Sequence, residues 1–220
     1  MADIIIFGAG DIAELAHFYF GHDSDHRPAA FVVDGEYLKE THFQGLPVIA
    51  LEDLQERFPA TDYSAFVAIS YTGLNKIRTD KCWTLRSVGY NLVSYVSSKA
   101  TTFADLAHGD NCFILEDNTI QPRVHIGSNV TLWSGNHIGH HSVIEDNVFV
   151  ASQAVISGGV RIGEGSFIGV NATIRDHVSI GRKTVVGAGV LILADAPDES
   201  VFIAPAPERS RVPSSRLRRI

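Results

Sequence analysis

The fold is decided by residues 112–192, which read CFILEDNTIQPRVHIGSNVTLWSGNHIGHHSVIEDNVFVASQAVISGGVRIGEGSFIGVNATIRDHVSIGRKTVVGAGVLI. Every sixth residue of this stretch is aliphatic, over fourteen consecutive positions. These positions are Ile114, Ile120, Ile126, Leu132, Ile138, Ile144, Val150, Ile156, Ile162, Ile168, Ile174, Ile180, Val186 and Ile192. Because a helical or heptad period would leave this phase within two repeats, the stretch is not helical.

A second column lies two residues before each aliphatic position and is mostly small or β-branched, as at Val124, Val130 and Ala154. Residues i and i−2 of a strand point to the same side, so both columns are predicted to face inward. Six residues then form one short strand with its corner, and three strands close a coil of 18 residues. Such coils stack into a solenoid of about four and a half turns. Glycines that follow the aliphatic residue are expected at the corners, namely Gly127, Gly139, Gly163, Gly169, Gly181 and Gly187.

Composition excludes several classes of protein. The chain is 45% hydrophobic and 20% charged, which is ordinary for a globular protein. Its net charge of −7 argues against general nucleic-acid binding. The apolar start has no basic segment before it, no apolar run approaches the ~20 residues of a membrane span, and the two cysteines form no CxxC motif. We expect a cytoplasmic protein without a membrane span or nucleic-acid partner.

Strands and helices alternate before the repeat begins. Strands are predicted at 3–7, 29–33, 66–69 and 92–96, and helices at 11–19, 51–58 and 76–88. This alternation indicates a parallel α/β sheet, with one βαβαβ half of a Rossmann-like domain. The predicted organisation is therefore a Rossmann-like domain at 1–97, an all-β solenoid at 98–195, and an extended tail at 196–220 that is rich in proline and arginine.

The turn after the first strand nearly fits the GxGxxG dinucleotide fingerprint. It reads GAGDIA over residues 8–13, with Ala13 in the third glycine position. Backbone amides at such a helix start bind phosphate, and Asp34, at the end of the second strand, is placed to accept hydrogen bonds from a ribose or a base. The alternative interpretation is that the start of the helix needs small residues for its structure and binds no phosphate. One βαβαβ half suits a mononucleotide or a nucleotide-linked sugar better than NAD.

Outward histidines cluster at His140 and His141, and single outward histidines are usually only solvated. Counting by 18 places His140 beneath Gly158, where the missing side chain would leave an open slot for an extended ligand. Phe149 and Phe167 form an outward column in the same way, which suggests a surface between subunits. An imidazole in such a cleft is chemically suited to act as a general base.

The segments HHSVI at 140–144, VISGGVRIG at 155–163 and FIGVNA at 167–172 resemble bacterial hexapeptide-repeat nucleotide-sugar acetyltransferases. This family includes sialic acid O-acetyltransferase-like proteins and the bacillosamine and perosamine N-acetyltransferases. The resemblance covers nearly the whole chain and implies a left-handed parallel β-helix. It also implies a homotrimer with active sites between subunits, acetyl-CoA in the groove between β-helices, and a nucleotide-linked amino sugar on the first domain. We expect no metal, because the sequence has no pair of histidines five residues apart in the repeat.

The resemblance also implies roles for single residues. His140 matches the family's general base, and His141, which we also predict to be catalytic, stands where the family usually has a carboxylate. Phe149 stands where some members have a further histidine. The predicted acetyl-CoA residues are Gly158, Val170 and Ala188. The predicted nucleotide-sugar residues are Gly8, Ala9, Gly10, Asp34, Gly73, Asn75 and Arg78.

The predicted activity is acetyl-CoA-dependent N-acetylation of a nucleotide-linked amino-deoxysugar, as in surface polysaccharide or glycan precursor synthesis. Transfer is expected to be direct, since neither Cys82 nor Cys112 lies near the histidines in sequence. Three alternatives stay open: O-acetylation in the same groove, a zinc enzyme resembling γ-carbonic anhydrases, and a non-catalytic trimeric scaffold or nucleotide sensor. The sugar, its nucleotide (UDP, dTDP or GDP) and the acyl chain length are also open.

Overall fold

The structure is a computed structural model that describes residues 2–206 and 208–216. An α/β region comes first, and a β-helix follows it. The helices and strands of the α/β region are β1 (Ala2–Phe7), α1 (Asp11–His22), β2 (His26–Val33), β3 (His42–Phe43), β4 (Leu46–Ala50), α2 (Leu54–Arg57), β5 (Tyr63–Val67) and α3 (Lys76–Ser87).

The α/β region is built on one five-stranded sheet with the order β3-β4-β2-β1-β5. Only β3 runs antiparallel to its neighbour. Helix α1 buries Ala13, Ala16 and Phe20 on one face of the sheet, whereas α2 and α3 bury Leu54 and Leu85 on the other. Strand β1 is therefore apolar on both sides, with Ile4 and Ile6 facing α1 and Ile5 and Phe7 facing α2 and α3, as a covered parallel sheet requires. The predicted α/β fold is confirmed.

Two details of this region differ from the prediction. The β3–β4 hairpin was not predicted; its turn residues Gln44 and Gly45 both have left-handed backbones, which match the twist of a two-residue hairpin. The prediction that residues 92–96 form a fourth parallel strand of this sheet was wrong. Leu92 forms only an isolated bridge to Ala65, and the chain then leaves the sheet to pair with the β-helix.

The β-helix consists of strands of two residues each. They are β6 (Tyr95–Val96), β7 (Ala107–His108), β8 (Phe113–Ile114), β9 (Thr119–Ile120), β10 (His125–Ile126), β11 (Thr131–Leu132), β12 (His137–Ile138), β13 (Val143–Ile144), β14 (Phe149–Val150), β15 (Val155–Ile156), β16 (Arg161–Ile162), β17 (Phe167–Ile168), β18 (Thr173–Ile174), β19 (Ser179–Ile180), β20 (Val185–Val186), β21 (Leu191–Ile192) and β22 (Val201–Phe202).

These strands form three parallel β-sheets, which are the three faces of a left-handed β-helix. Face 1 contains β6, β8, β11, β14, β17, β20 and β22; face 2 contains β9, β12, β15, β18 and β21; face 3 contains β7, β10, β13, β16 and β19. Paired residues on successive coils are 18 apart, as His137 and Val155 are. All fourteen aliphatic positions are at most 4% exposed, and the column two residues earlier is buried with them. The predicted coil and both inward columns are confirmed.

The corner glycines serve close contact between coils. An ideal Cβ at Gly139 would lie 2.4 Å from the backbone nitrogen of Gly158 on the next coil, so a side chain there would overlap the backbone. The left-handed residues of each corner come two positions later, as at Asn129 and His141. Glycine directly after the aliphatic residue is therefore required by the narrow space between successive coils, and not by a left-handed backbone.

An asparagine ladder joins the α/β region to the β-helix. Asn111, Asn129 and Asn147 are stacked at intervals of 18 residues, with amide-to-amide distances of 2.9 and 2.8 Å between successive members. The backbone N–H of Val67, at the end of β5, donates to Asn111 Oδ1 at 2.7 Å. The ladder therefore fixes the end of the α/β sheet to three successive coils.

The β-helix extends past the predicted boundary at residue 195. Val201 and Phe202 pair with Val185 and Val186, so face 1 gains one more strand. The tail described beyond this point contains only the short 3-10 turn Ser214–Arg216. Among the described residues, no helix is both long enough and apolar enough to span a membrane.

Candidate active site

His140 and His141 lie at the edge between faces 2 and 3. Their Nδ1 atoms are 3.1 Å apart, and their rings are nearly perpendicular at 85°. The backbone N–H of His140 donates to Gln121 Oε1 at 2.9 Å, and His141 has a left-handed backbone. Both residues are exposed, so this edge presents to solvent two imidazole rings that contact each other.

Gly158 lies over the His140 ring, one coil further on. An ideal Cβ at Gly158 would be 2.7 Å from Cε1 and 2.8 Å from Nε2 of His140. The prediction of an open slot at this glycine was wrong, because the imidazole of His140 itself occupies the space. Among the described residues, the backbone N–H of Gly158 donates no hydrogen bond to another backbone group.

The other two predicted acetyl-CoA residues lie on a different edge. Val170 and Ala188 are stacked one coil apart between faces 1 and 2, and both are exposed. Gly158 lies across face 2 from them. The outward residues of face 2 include Val155 and Leu191, which are 40% and 59% exposed. The three predicted residues therefore border one partly apolar strip, with His140 on its far edge.

The aromatic column on face 1 is covered within the same chain. Phe149 is buried, and its ring stacks on Phe167 at a centroid distance of 5.6 Å. Tyr71, from the loop between β5 and α3, packs on both rings at 4.9 Å. The prediction that Phe149 and Phe167 form an exposed surface between subunits was wrong, since the α/β region folds back over face 1.

The loop after β1 crosses the end of β5. Gly8 has a left-handed backbone, and an ideal Cβ there would be 2.7 Å from the carbonyl oxygen of Ala68. Ala9 and Gly10 are exposed where α1 begins, as the predicted phosphate site requires. Strands β2 and β5 flank β1, and the helices α1 and α2 that lead to them pack on opposite faces of the sheet. This loop therefore lies at the switch point of the sheet, where α/β folds bind ligands.

Asp34 follows β2 on the same edge of the sheet. Its carboxylate forms an ion pair with Lys81 of α3 at 2.5 Å, with both side chains about one quarter exposed. Lys81 Nζ also lies 5.3 Å from the ring centroid of Phe7. Asp34 is therefore held at the mouth of the predicted nucleotide site, with a lysine beside it that the sequence did not indicate.

The run from Gly73 to Arg78 divides between two roles. Gly73 is exposed, but Asn75 and Arg78 are buried at 0% and 3%. Asn75 Nδ2 donates to the carbonyl of Asn147 at 2.7 Å, and Arg78 donates to Thr131 Oγ1 and to the carbonyl of Asn129. The buried pair thus joins α3 to the β-helix, and contact of Gly73, Asn75 and Arg78 with a nucleotide sugar stays a prediction.

A cavity of about 640 Å³ opens beside Gly73, between α3 and the edge that joins faces 3 and 1. Charged side chains of both signs line it, including Lys76, Glu164, Arg182 and Lys183. A smaller cavity of about 260 Å³ adjoins Ala9 and is lined by Tyr37, Lys39, His42 and Phe43. Both cavities lie beside residues predicted for the nucleotide-sugar side.

The cysteines are unsuited to carry an acyl group. Cys82 and Cys112 are both buried, and burial raises the pKa of their thiols to about 12 and about 11. A buried thiol with a raised pKa is a poor nucleophile. Direct transfer therefore fits this chain better than a covalent acyl-enzyme.

Sequence reasoning missed several residues around these sites. Lys81, Tyr71 and Gln121 carry no local motif, because their contacts come from other parts of the chain. The ladder of Asn111, Asn129 and Asn147 was detectable, since three asparagines recur at the 18-residue coil period.

Comparisons with known proteins agree with this architecture. A family model described as bacterial transferase hexapeptide (six repeats) matches residues 123–158, 141–176 and 159–194. No curated protein is similar enough in sequence to be matched to the chain. The repeat of residues 123–194 therefore matches the bacterial hexapeptide transferase pattern.

Solved structures share the fold of nearly the whole chain. The acetyltransferase domain of PglB from Neisseria gonorrhoeae FA1090 superposes with a TM-score of 0.78 at 22% identity, covering 91% of this chain and 96% of that one; a complex of it with acetyl coenzyme A is also known. A mutant of perosamine N-acetyltransferase from Caulobacter crescentus, in complex with CoA and GDP-perosamine, gives 0.72 at 23%, covering 93% and 94%. WeeI from Acinetobacter baumannii AYE gives 0.77 at 22%, covering 92% and 97%. At this identity the likeness establishes the shared fold.

Proposed function

We propose that the protein is an acetyl-CoA-dependent N-acetyltransferase that acts on the amino group of a nucleotide-linked amino-deoxysugar. The observation that carries the proposal is the exposed His140 imidazole, which lies against Gly158, a residue whose backbone N–H has no backbone hydrogen-bond partner within the described part of the chain. Two proteins that share the fold were solved with acetyl coenzyme A, or with CoA and a nucleotide-linked amino sugar.

The reaction begins when the neutral amine attacks the thioester carbonyl and forms an N–C bond. His140 Nε2 takes the proton that the amine loses, and the C–S bond then breaks. The proton passes to the departing sulfur, which leaves as the CoA thiol. The N–H of Gly158 is suited to donate to the oxyanion of the tetrahedral intermediate, and holding two large ligands together supplies much of the rate.

The ligands are assigned to separate parts of the chain. Acetyl-CoA lies along face 2, with Val170 and Ala188 on one side and Gly158 on the other. The nucleotide lies at the switch point, with its phosphates on the Gly8–Gly10 loop and its ribose or base at Asp34.

His140 and this switch point lie on different sides of one β-helix, because the α/β region covers face 1 whereas His140 is at the edge of faces 2 and 3. A homotrimer with active sites between subunits would bring them together. The cytoplasmic location and the absence of a catalytic metal stay predictions.

The test is a screen of UDP-, dTDP- and GDP-linked 3-amino and 4-amino sugars with acetyl-CoA, following release of the CoA thiol and the mass of the product. We expect thiol release that depends on one amino sugar, with a product heavier by one acetyl group. The matching sugars with a hydroxyl in place of the amine are the control. Turnover of the hydroxyl sugars alone would assign O-acetylation instead, and metal found in the purified protein by elemental analysis, with activity lost on chelation, would support the zinc enzyme.

A further inference from the structure

The contact between His140 and His141 restricts which ring nitrogens carry hydrogen. Their Nδ1 atoms are 3.1 Å apart, which is hydrogen-bond distance for a neutral N–H···N pair. A neutral imidazole carries hydrogen on only one of its two nitrogens. One of the two rings must therefore donate from Nδ1, and the other must accept there.

The direction of this bond decides what Nε2 of His140 can do. If His140 donates from Nδ1, its Nε2 holds a lone pair and can remove a proton. If His141 donates, the hydrogen of His140 is on Nε2, and that nitrogen can only donate. Only the first arrangement is a base at the atom that faces Gly158.

We propose that His141 is the positioning residue of the base: its Nδ1 accepts the hydrogen of His140 Nδ1 and holds His140 in the tautomer with a free Nε2. This inference rests on the proposed function and names the partner of its base. Once His140 has taken the substrate proton, its Nδ1–H becomes a charged donor to His141, and such bonds are stronger than neutral ones.

The backbone holds both rings at this corner. Gln121 Oε1 accepts the N–H of His140, and the N–H of His141 donates to the carbonyl of Pro122 at 3.3 Å. His141 has the left-handed backbone that the equivalent residues of other corners also adopt. The hydrogen bond therefore joins two rings whose backbones are already fixed.

Other charged groups lie on the same edge. They are Arg123 one coil earlier and Arg175, Asp176 and His177 two coils after the pair, all exposed. Within the described residues, none of them forms a hydrogen bond or ion pair with His140 or His141. No carboxylate thus competes with His141 for the Nδ1 hydrogen.

Kinetics of three variants test the role of His141. H141F removes the acceptor and is expected to lower kcat about 10²-fold, as misorientation of a catalytic group does, with KM for both substrates unchanged. H141D restores a hydrogen-bond acceptor and is expected to recover most of kcat. Because a carboxylate favours the charged form of His140, H141D should also move the midpoint of the acidic limb of kcat/KM to higher pH than in the wild type. H177F, on the same edge with its ring beside Gly159, is the matched control and should keep the wild-type kcat.

An activity-independent readout separates this inference from the proposed function. ¹⁵N NMR of histidine-labelled protein, with H140A and H141F for assignment, reports which nitrogen of His140 carries hydrogen. We expect Nδ1–H in the wild type and a shift toward Nε2–H in H141F. If the wild type shows Nδ1–H but acetylates no amino sugar, the function fails and the pair stands. If the wild type shows Nε2–H, or if H141F keeps the wild-type kcat in an active enzyme, the inference is overturned.

Discussion

The imidazole of His140 lies in the space that a side chain at Gly158 would fill. The ideal Cβ position at Gly158 is 2.8 Å from Nε2 of His140, which is well inside van der Waals contact. Nε2 is the atom to which we assign proton removal. The small residue of one coil therefore sets the position of the reacting group on the coil before it.

Gly158→Ala tests this relationship. The new methyl group would displace the imidazole, so we expect kcat to fall about 10²-fold while the β-helix stays folded. Gly21→Ala in α1 is the matched control, since an ideal Cβ there has no neighbour within 4 Å. Equal kcat in the two variants would show that the ring does not work from this position.

Arg78 is predicted to hold the two regions of the chain together. Burial lowers the pKa of its guanidinium to about 10, so it is still charged at neutral pH, and no carboxylate lies within ion-pair distance among the described residues. Arg78→Met would leave Thr131 and the Asn129 carbonyl without their donor, at a cost of about 2–4 kcal/mol in the free energy of unfolding.

Urea denaturation measures this cost. Lys76→Ala is the control, because its ion pair with Asp80 is exposed and should contribute about 0–1 kcal/mol. Equal midpoints for the two variants would contradict the role of Arg78.

Asp23 makes stability depend on acid pH. Hydrogen bonds from Ser98 and from the Tyr95 hydroxyl lower the pKa of Asp23 from 3.8 to about 2. The folded pKa is thus below the unfolded one, so this stabilisation is complete above about pH 4 and is lost as the pH falls toward 2. We expect about 1–2 kcal/mol from it after allowance for solvent.

Asp23→Asn removes that titration. The stability difference between wild type and variant should shrink between pH 5 and pH 2, as measured by urea unfolding at ~1-unit steps. A constant difference over this range would exclude Asp23 as the titrating group.

Asp34 is predicted to contact the nucleotide. Asp34→Ala should raise KM for the nucleotide sugar at least about 10-fold, as loss of a charged hydrogen bond does, with KM for acetyl-CoA unchanged. Thermal protection by acetyl-CoA serves as the control, since we propose its site on face 2, away from Asp34. An equal rise in both KM values would place the effect in folding rather than in nucleotide recognition.

Most of the fold could be predicted because the signal is local and repeated. A period of six with two inward columns specifies a strand, a corner and an 18-residue coil, so Gly158 could be placed over His140 by counting. The orientation of the His140 imidazole relative to Gly158 could not be obtained by counting. Whether His140 leaves a slot or fills it depends on side-chain torsions that periodicity does not encode.

Contacts between distant segments were less accessible. Phe149 points outward from its strand, as predicted, yet the return of the α/β region onto face 1 buries it under Tyr71. Asn75 and Arg78 match a ligand-binding run, but burial against the asparagine ladder places them at the junction. Lys81 reaches Asp34 from α3, 47 residues away, and no motif joins the two.

The central claim is amine acetylation with His140 as base, and the rate of the wild type and His140→Asn across pH tests it most directly. With the best amino sugar from the screen, we expect the variant to be slower at neutral pH by about 10²-fold or more. It should recover at high pH, where hydroxide can take the proton that the attacking amine loses. A variant as fast as the wild type at neutral pH would contradict the role of His140, and a wild type that releases no CoA thiol with any amino sugar would contradict the activity.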